Sequence, residues 1–471
     1  MNMSQMNNTK IIATLGPVSN TEDMMIKLIN SGADVFRLNT SHGNKEEHLA
    51  TIKLIRKVSE KLNQPITILL DLQGPKIRLG IIPEIIILEA KQVITLVEDT
   101  QTTDIAVIPV DYRGFIQAVD IGDKIFINDG KVELKVVEKT INQIQALVIN
   151  GGEISSKKGI NMPGIVTTIP AITEKDKDYI KFGIEHEVDY FALSFVRTMD
   201  DVEKAKQFIK KHKGNIPVIA KIEKPQAIEN MDDIIRCADC IMVARGDLGI
   251  EILPEKVPIV QKELIHRANL ANKPVIVATQ MLESMITESI PTRAEANDVA
   301  NAIMDGADAV MLSGETTVGK YPIQAVEMMN RIASNVEQSN MYKMASKTFL
   351  KDNLSHDVQL ARMFNELEVK AVIAITESGY TAQILSNSKI IPPIIAICNN
   401  IRLCRQLNLL WGVIPFMYKK DSLEYKEQNV EEICKQLISS KIISKGDKVV
   451  FVGGLPSFTL NKTTVVKYFQ T

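Results

Sequence analysis

Two short apolar segments, near residues 220 and 242, each end in a pair of charged residues. The first leads to Lys221 and Glu223, and the second leads to Arg245 and Asp247. Residues i and i+2 of an extended strand point to the same face, so we expect each pair to project together from a strand end. Two carboxylates beside a lysine and an arginine suit Mg2+ and an anionic substrate, because magnesium completes its shell with water and phosphate oxygens. A buried structural salt-bridge cluster is the alternative.

The segments that must position these residues alternate between strand-like and helix-like patterns eight times. The strand-like runs are apolar along their length, as is typical of parallel strands covered on both faces. Eight consecutive repeats predict a closed (β/α)8 TIM barrel, with a doubly wound open sheet as the competing arrangement. The predicted strands are 11–15, 34–38, 65–70, 189–195, 216–222, 240–244, 274–278 and 309–312, and the predicted helices include 45–62, 174–186, 199–212, 226–236, 258–271, 293–305 and 322–336.

Two further segments lie outside this repeating pattern. Residues 80–163 are rich in β-branched residues and turn pairs, which predicts a small β domain inserted after the third strand as a lid over the catalytic end of the barrel. The barrel itself then comprises residues 1–79 and 164–340. Residues 341–471 predict a C-terminal α/β domain, with strands at 370–375, 394–398, 412–417, 448–452 and 464–469.

Composition excludes several functional classes. The formal net charge of −2 leaves no basic surface for nucleic acid and no polybasic segment for a membrane, and no apolar run is long enough to span a bilayer. The first ten residues are polar where a secretory signal would be apolar, so we expect a cytoplasmic protein. Five cysteines are an odd and sparse set, which argues against a disulfide framework, and Cys237 and Cys240 are predicted to be buried thiols.

Active sites of (β/α)8 barrels lie at the C-terminal ends of the strands, and many polar residues occupy those positions here. Core packing alone would rarely place so many charged and hydroxyl side chains at equivalent positions of separate strands. Their excess of cations around a few acids suits a phosphorylated substrate and a nucleotide held with magnesium. The candidates are Arg37, Asn39, Ser41, His42, Asp71, Lys76, Arg78, Lys158, Ser194, Lys221, Glu223, Asp247, Thr279 and Ser313.

The same segments carry a family resemblance. The chain resembles pyruvate kinase in a series of motifs that occur in order from about residue 10 to about residue 340, and residues 341–471 resemble the regulatory domain of that family more loosely. The motifs are ATLGP (13–17), RLNTSHG (37–43), DLQGPKIR (71–78), SKKGINMPG (156–164), AKIE (220–223), MVARGDLGIEI (242–252), ATQMLESM (278–285) and PTRAEANDVANAIMDGADAVMLSGET (291–316).

The resemblance implies transfer of a phosphoryl group from phosphoenolpyruvate to ADP, which gives ATP and an enolate that is protonated to pyruvate. It also implies Mg2+, with Mn2+ as a substitute, and a homotetramer. The implied metal ligands are Glu223 and Asp247, and the implied catalytic residues are Lys221, Arg37, Thr279 and Ser313. The implied substrate contacts are Arg37, Ser194, Lys221, Gly246, Asp247 and Thr279, and the implied nucleotide contacts are Asn39, His42, Arg78 and Lys158.

The chain departs from the commonest pattern of the family at Lys76. Members that need potassium typically carry glutamate at this position, near a monovalent-cation region that corresponds here to Asn39, Ser41 and Asp71. A fixed ammonium group can stand in for a bound cation, and it repels a second one. We therefore expect activity without K+.

The C-terminal domain contains one candidate regulatory loop. Its hydroxyls and glycine, Thr376, Ser378, Gly379 and Thr381, precede a predicted helix, where backbone N–H groups favour an anion. A plain helix cap is the alternative. The loop resembles the effector phosphate loop of the family, but Tyr380 stands where members that respond to sugar bisphosphates often carry a basic residue. The expected effector is a sugar monophosphate or AMP, and absence of activation stays open.

Two other functions remain open from the sequence. A magnesium-dependent barrel lyase or aldolase acting on an oxo acid also needs acids and an arginine beside an enolate, although Lys158 and the lid argue against it. A catalytically silent protein that binds a metabolite or acts as a scaffold is the second, although every motif residue is present. An assay for pyruvate formation from phosphoenolpyruvate and ADP separates the three functions.

Overall fold

The computed structural model describes residues 7–104, 106–165, 169–346, 359, 363–418, 427–453 and 465–471, and eight of its parallel strands close into a barrel. Hydrogen bonding between the first and eighth strands completes the ring. The predicted (β/α)8 barrel is therefore confirmed, and the open sheet is wrong. The first to eighth barrel strands are Lys10–Thr14, Val35–Asn39, Thr67–Asp71, Tyr190–Leu193, Val218–Ile222, Cys240–Ala244, Val275–Ala278 and Ala309–Leu312.

Both faces of the barrel strands are buried, which explains their apolar sequences. One cluster, which includes Ile12, Leu69, Ile219 and Met242, fills the barrel interior. The intervening residues of each strand belong to a larger cluster that also contains the buried faces of the surrounding helices. Burial on both faces leaves only the strand ends for polar side chains, so the candidate site residues gather there.

The outer helices mostly begin and end within two residues of their predicted bounds. The predicted helix 226–236 is an exception, because Asn230 divides it into Pro225–Glu229 and Met231–Cys237. Its side-chain amide donates to the backbone carbonyl of Gln226 at 2.8 Å and competes with helical bonding. The other helices of the barrel region are Glu22–Asn30, Lys45–Leu62, Glu174–Glu185, Met199–Lys211, Arg245–Glu251, Val257–Leu270, Arg293–Met304, Gly314–Thr317, Pro322–Gln338 and Asn340–Ser346, with 3-10 turns at Pro254–Lys256 and Glu283–Ile286.

An inserted β domain lies between the third and fourth barrel strands, as the sequence predicts. Its sheet has its own buried core, which includes Leu96, Phe115 and Leu134. A turn at residues 128–130 joins two antiparallel strands, and all three of its residues have positive φ. The seven strands are Ile77–Arg78, Val93–Glu98, Val107–Val110, Lys124–Ile127, Val132–Lys139, Gln143–Asn150 and Gly159–Asn161, beside a two-stranded sheet of Ile86–Leu88 and Gly152–Ile154 and a short helix, Phe115–Ala118.

The C-terminal α/β domain is built on a five-stranded sheet, four strands of which are parallel. Cys398, at the end of one of these strands, forms a disulfide with Cys404. Cys240 is a buried thiol as predicted, whereas the prediction that Cys237 is buried is wrong, because it is partly exposed. Residue 464, the first of the predicted last strand, lies outside the described residues. The elements are strands Ala371–Ile375, Ile394–Cys398, Val413–Met417, Lys448–Gly453 and Val465–Gln470, helices Tyr380–Asn387, Ile401–Leu407 and Glu427–Ser439, and the 3-10 turn Phe364–Glu366.

This domain packs against the N-terminal ends of the barrel strands. Lys389 forms a fully buried salt bridge of 2.6 Å with Asp308, which immediately precedes the eighth strand. The hydroxyl of Tyr190 donates to the Gln406 carbonyl at 3.0 Å. The C-terminal domain thus covers one end of the barrel and leaves the opposite end, where the strands terminate, for the site. Within the described ranges, no helix has the length and apolar character needed to cross a membrane.

Candidate active site

A buried carboxylate, Asp71, joins two cations at the C-terminal end of the barrel. Its Oδ2 accepts from Arg37 Nε at 2.7 Å, and its Oδ1 lies 3.2 Å from Lys221 Nζ. Burial alone would raise the pKa of Asp71, but the charges of Lys221 and Arg37 outweigh it and hold the pKa below its usual value. Burial would lower the pKa of Lys221, and Asp71 and Glu223 reverse that effect and raise it. Both groups are therefore charged at neutral pH and fixed in position.

Ser194 completes the hydrogen bonding of the Lys221 ammonium group. The Ser194 Oγ accepts from Lys221 Nζ at 2.6 Å and donates to the backbone carbonyl of Leu72 at 2.8 Å. The ends of strands two to five, with Ser194 one residue beyond the fourth, thus contribute one polar side chain each to a single network. This confirms the sequence-based expectation that strand ends converge, while the role of Ser194 in substrate binding stays a prediction.

Glu223, one residue beyond the fifth strand, is fully buried. Its Oε2 accepts from the Phe195 N–H at 2.8 Å. Its Oε1 lies 3.0 Å from Lys221 Nζ in an ion pair and has no hydrogen-bond partner among the described residues. Burial raises the pKa of Glu223, Lys221 opposes this, and the nearby negative charge of Asp247 adds to it. A divalent cation would satisfy Oε1 and remove the repulsion, so the residues fit a metal.

Asp247 is the second acid of this site, and its side chain is about one quarter exposed. Within the described part of the chain, no three His, Cys, Asp or Glu side chains gather in the manner of a complete metal site. An ion held by Glu223 and Asp247 would therefore take its remaining ligands from water and substrate. That donor set suits Mg2+, which keeps several waters and binds through one or two carboxylates.

Lys76 lies beside Asp247 and Asp129, and its role as a substitute for a monovalent cation stays a prediction. Its Nζ is 3.4 Å from Asp247 Oδ1 and 3.4 Å from Asp129 Oδ1 of the lid. Burial lowers the pKa of Lys76, but these two acids outweigh burial and raise it. No hydrogen bond or ion pair joins it, among the described residues, to Asn39, Ser41 or Asp71. The Lys76 ammonium group therefore contacts the candidate active site through Asp247, one of the two predicted metal ligands.

Thr279 follows the seventh strand with an unusual backbone. Its φ is 70° and that of Gln280 is 53°, so two successive residues other than glycine occupy the left-handed region. The Thr279 Oγ1 accepts from the Gly246 N–H at 2.7 Å and donates to the Ala278 carbonyl at 2.6 Å. The structure thus brings Thr279 next to the Gly246 N–H, as predicted. Each left-handed residue costs about 1–3 kcal/mol, which the surroundings must offset.

The prediction that Arg245 and Asp247 share one face is wrong. The sixth strand ends at Ala244, and Arg245 begins the helix Arg245–Glu251. The Arg245 side chain turns away from Asp247 and contacts the loop after the seventh strand. Its Nη2 donates to the Thr279 carbonyl at 2.7 Å, and its Nη1 donates to Asp298 Oδ2 at 2.6 Å.

Ser313 lies at the end of the eighth strand and has an unpartnered hydroxyl. Its Oγ is buried and makes no hydrogen bond within the described residues. Its backbone N–H donates to Glu315 Oε2 at 2.7 Å, and Glu315 Oε1 accepts from the Leu282 N–H at 3.1 Å. Glu315 thus fixes the end of the eighth strand to the loop after the seventh, and the Ser313 hydroxyl is left for a ligand or a water molecule.

The predicted nucleotide contacts fall into two groups. Arg78 and Lys158 lie at the base of the lid, where Arg78 pairs with Gly159 and the Leu79 N–H donates to the Lys158 carbonyl at 2.8 Å. Asn39 and His42 lie on the loop after the second strand, where Asn39 Oδ1 accepts from the Ser41 N–H at 3.0 Å. No hydrogen bond between the described residues joins the two groups directly.

The candidate effector loop stabilises itself through two of its hydroxyl groups. Thr376 Oγ1 accepts from the Gly379 N–H at 2.8 Å, and Ser378 Oγ accepts from the Tyr380 N–H at 3.4 Å. Gly379 has a φ of 88° and immediately precedes the helix Tyr380–Asn387, as the sequence predicts. These bonds also suit a plain helix cap, so the effector role of Thr376, Ser378, Gly379 and Thr381 stays a prediction.

A buried cluster that the sequence did not predict joins the lid to the barrel. Glu251 is almost fully buried, and its Oε1 accepts from Lys224 Nζ at 2.5 Å and from Asn161 Nδ2 at 2.8 Å. Asn161 belongs to the strand that returns from the lid, so this cluster joins the lid to the ends of the fifth and sixth strands. The glutamate within the apolar stretch after Asp247 is the feature of the sequence that could have indicated this contact.

Comparison with known proteins agrees with this architecture. The chain matches the pyruvate kinase barrel domain over residues 6–326 and the pyruvate kinase alpha/beta domain over residues 358–467. It is 42% identical to a pyruvate kinase of Staphylococcus epidermidis (strain ATCC 35984), covering 98% of this chain and 80% of that protein, and 41% identical to one of Staphylococcus aureus (strain MRSA252), with the same coverage.

A solved structure gives the same result at the level of the fold. The crystal structure of a pyruvate kinase from Cryptosporidium parvum superposes with a TM-score of 0.91 at 34% identity, covering 99% of this chain and 97% of that one. Barrel, lid and C-terminal domain are thus shared along the whole chain. The shared family favours phosphoryl transfer over the lyase or aldolase alternative. The chain is a phosphotransferase that belongs to the pyruvate kinase family.

Proposed function

We propose that this enzyme transfers the phosphoryl group of phosphoenolpyruvate to ADP, with Mg2+, and forms pyruvate and ATP as the last step of glycolysis. The observation that carries the proposal is the position of the Lys221 ammonium group. It lies between Asp71 and Glu223 at the end of the fifth strand, is almost fully buried and remains charged. A fixed, desolvated cation is what phosphoryl transfer requires, because negative charge spreads over the equatorial oxygens at the transition state.

Arg37 would share this task with Lys221. Its Nη1 donates to the Thr14 hydroxyl at 3.1 Å and its Nε is bound to Asp71, which leaves Nη2 for a phosphate oxygen. Both cations are held by the same carboxylate, so neither needs to reorganise when the phosphoryl group moves. Ser194 would keep Lys221 in place and border the substrate.

Glu223 and Asp247 would hold Mg2+, or Mn2+ in its place. When bound, the ion would neutralise the charge of the substrate carboxylate and phosphate and orient them. Asp247 would keep part of its coordination open to solvent because its side chain is partly exposed, whereas Glu223 would present its buried Oε1. The pair therefore combines one rigid and one accessible ligand.

The substrate carboxylate would bind at the N–H groups of Gly246 and Asp247 and at the Thr279 hydroxyl. At present the Gly246 N–H donates to Thr279 Oγ1. An incoming carboxylate would replace Thr279 as the acceptor of that bond, and the Thr279 hydroxyl could then donate to the ligand. Thr279 and the unpartnered Ser313 hydroxyl border the side from which a proton would reach the enolate.

ADP would bind between Asn39 and His42 on one side and Arg78 and Lys158 on the other. These residues belong to the loop after the second strand and to the base of the lid, so closure of the lid would bring them together around a nucleotide. Closure would also exclude water, which matters because an exposed phosphoryl group could be hydrolysed.

The proposal also covers the location, assembly, domain organisation and regulation of the enzyme. We propose a cytoplasmic homotetramer whose barrel comprises residues 1–79 and 164–340, whose lid comprises residues 80–163 and whose effector domain comprises residues 341–471. A sugar monophosphate or AMP is the proposed effector at Thr376–Thr381, and K+ is not required. Neither nucleic acid nor membrane is a proposed partner.

The test is a coupled assay of pyruvate formation with and without ADP and Mg2+. Wild-type enzyme should form pyruvate only when both are present, and absence of pyruvate would refute the proposal. Lys221→Met should fold normally and lose about 10³-fold or more in turnover. Lys206→Met is the matched control, because Lys206 also pairs with an aspartate, Asp239 at 2.7 Å, but at the opposite end of the barrel. A loss below about tenfold in Lys221→Met would exclude Lys221 as the transition-state cation.

A further inference from the structure

We infer, on the basis of the proposed function, that Arg245 is a positioning residue that holds the Thr279 hydroxyl in its working orientation. The motif around Arg245 suggests a charge aimed at the substrate, but its side chain is only 8% exposed and turns to the neighbouring loop. Its Nε and Nη2 both donate to the Thr279 carbonyl, at 3.3 Å and 2.7 Å, and Nη2 also reaches the Gln280 carbonyl at 3.2 Å.

The backbone that Arg245 contacts is the strained segment of the site. Thr279 and Gln280 both have positive φ, and Thr279 is β-branched, which makes this conformation especially unfavourable. The carbonyls of these two residues point at one guanidinium group. Without those bonds the segment would relax towards ordinary backbone angles, and Thr279 Oγ1 would move away from the Gly246 N–H.

The guanidinium group is itself fixed from the other side. Its Nη1 donates to Asp298 Oδ2 at 2.6 Å, and Asp298 lies on the helix Arg293–Met304. The same nitrogen is 3.4 Å from Gln261 Oε1, on the helix Val257–Leu270. Arg245, directly after the sixth strand, therefore ties the start of the helix Arg245–Glu251 to two outer helices and to the loop that carries Thr279. Asp298 also neutralises its charge, so Arg245 adds little to the field at the substrate.

Lysine cannot reproduce this arrangement. Arginine presents five donors in a rigid plane, which allows one side chain to serve two carbonyls and a carboxylate at once. The lysine ammonium group is a compact charge on a flexible stem and would keep the Asp298 ion pair at the expense of the carbonyls. Arg245→Lys therefore preserves charge while it releases the Thr279 segment.

The inference predicts a defect confined to the functions of Thr279. Arg245→Lys should raise the KM for phosphoenolpyruvate about tenfold and slow exchange of the pyruvate methyl protons with solvent by a similar factor. The KM for ADP should stay within about twofold of the wild type, because the nucleotide contacts lie on other loops. Equal changes in both KM values, or unchanged proton exchange, would overturn the inference.

A double-mutant cycle with Thr279→Ala separates positioning from general stabilisation. If Arg245 acts through Thr279, then Arg245→Lys in the Thr279→Ala background should change kcat/KM by less than about twofold. Additive losses would show that Arg245 acts on something else and would overturn the inference. Wild-type enzyme that forms no pyruvate would refute the proposed function instead, so the two failures are distinguishable.

Asp298→Asn provides the test if Arg245→Lys does not fold. This change weakens the ion pair that holds Nη1 of Arg245 and leaves the hydrogen bonds from Arg245 to the backbone carbonyls of Thr279 and Gln280 in place. Because the change also unmasks the Arg245 charge in both backgrounds, the two backgrounds are compared: the KM for phosphoenolpyruvate should rise about threefold more with Thr279 present than in the Thr279→Ala background. An equal change in the two backgrounds would overturn the inference.

Discussion

Replacement of Lys76 by glutamate should convert the enzyme from potassium-independent to potassium-activated. The ammonium group of Lys76 lies 3.4 Å from Asp247, the more exposed of the two predicted metal ligands, and 3.4 Å from Asp129 of the lid. Lys76→Glu replaces this cation with an anion beside two acids. The site then lacks one positive charge and gains a negative one, and a bound monovalent cation is the simplest way to restore the balance.

The size of the effect follows from the distance. Two unit charges at this separation interact by about 5 kcal/mol at an effective dielectric constant of 20. The side chains of Lys76 and Asp247 are 20% and 27% exposed, and solvent screening reduces this to about 2–3 kcal/mol. Since about 1.4 kcal/mol corresponds to a factor of ten, activity without K+ should fall by several tens of fold.

The assay measures pyruvate formation with Mg2+ in a buffer whose only monovalent cation is bulky and organic, before and after addition of K+. Wild-type activity should change by less than about twofold, and Lys76→Glu should be restored by several tens of fold. Lys175→Glu is the matched control, because Lys175 lies near the same cleft and bonds to Gln73 at 2.6 Å instead of to an acid of the site.

Two results would refute this reasoning. The first is stimulation of the wild type by K+ of several tens of fold, since Lys76 would then not substitute for the ion. The second is an equal potassium response in Lys76→Glu and Lys175→Glu, since the effect would then report general surface charge. Lys76→Met should lose activity without becoming strongly potassium-activated, because it removes the ammonium group without supplying an acid to bind the ion.

Two further predictions concern the metal and the effector. Glu223→Gln and Asp247→Asn should each raise the Mg2+ concentration needed for half-maximal activity, because each removes one anionic ligand, and unchanged magnesium titrations in both would exclude them as ligands. The double change Ser378→Ala and Thr381→Ala should abolish activation by a sugar phosphate and leave unactivated turnover intact, because the loop lies in a separate domain; activation that survives would identify the loop as a helix cap.

The barrel could be predicted from the sequence because its signal is repeated eight times. Parallel strands buried on both faces must be apolar throughout, and this requirement gave strand positions such as Cys240–Ala244 and Ala309–Leu312 without error. The convergence of Arg37, Asp71 and Lys221 also followed, because parallel strands in a closed barrel end at the same edge. Periodicity alone did not identify Asn230 as a helix boundary, because that depends on a side-chain bond to the backbone.

Side-chain partners beyond neighbouring strands were less accessible to sequence reasoning. The contact between Lys76 and Asp247 joins residues 171 positions apart, and the cluster of Asn161 with Glu251 depends on how the lid returns to the barrel. Such contacts are set by the docking of one domain on another. The local sequence has no periodic pattern that predicts such contacts. A motif can therefore identify a residue without showing where its side chain points.

The two charged pairs that first suggested a site illustrate this limit. Lys221 is the penultimate residue of an extended strand and Glu223 lies one residue beyond it, and their charged atoms are 3.0 Å apart, which agrees with the rule that residues i and i+2 of a strand share a face. Arg245 and Asp247 have the same spacing, but they lie in a helix that begins where the strand stops. Two helical residues at this spacing are separated by about 200° around the axis, since each residue turns the helix by about 100°. One change from strand to helix therefore directs Asp247 to the site and Arg245 to the backbone of Thr279.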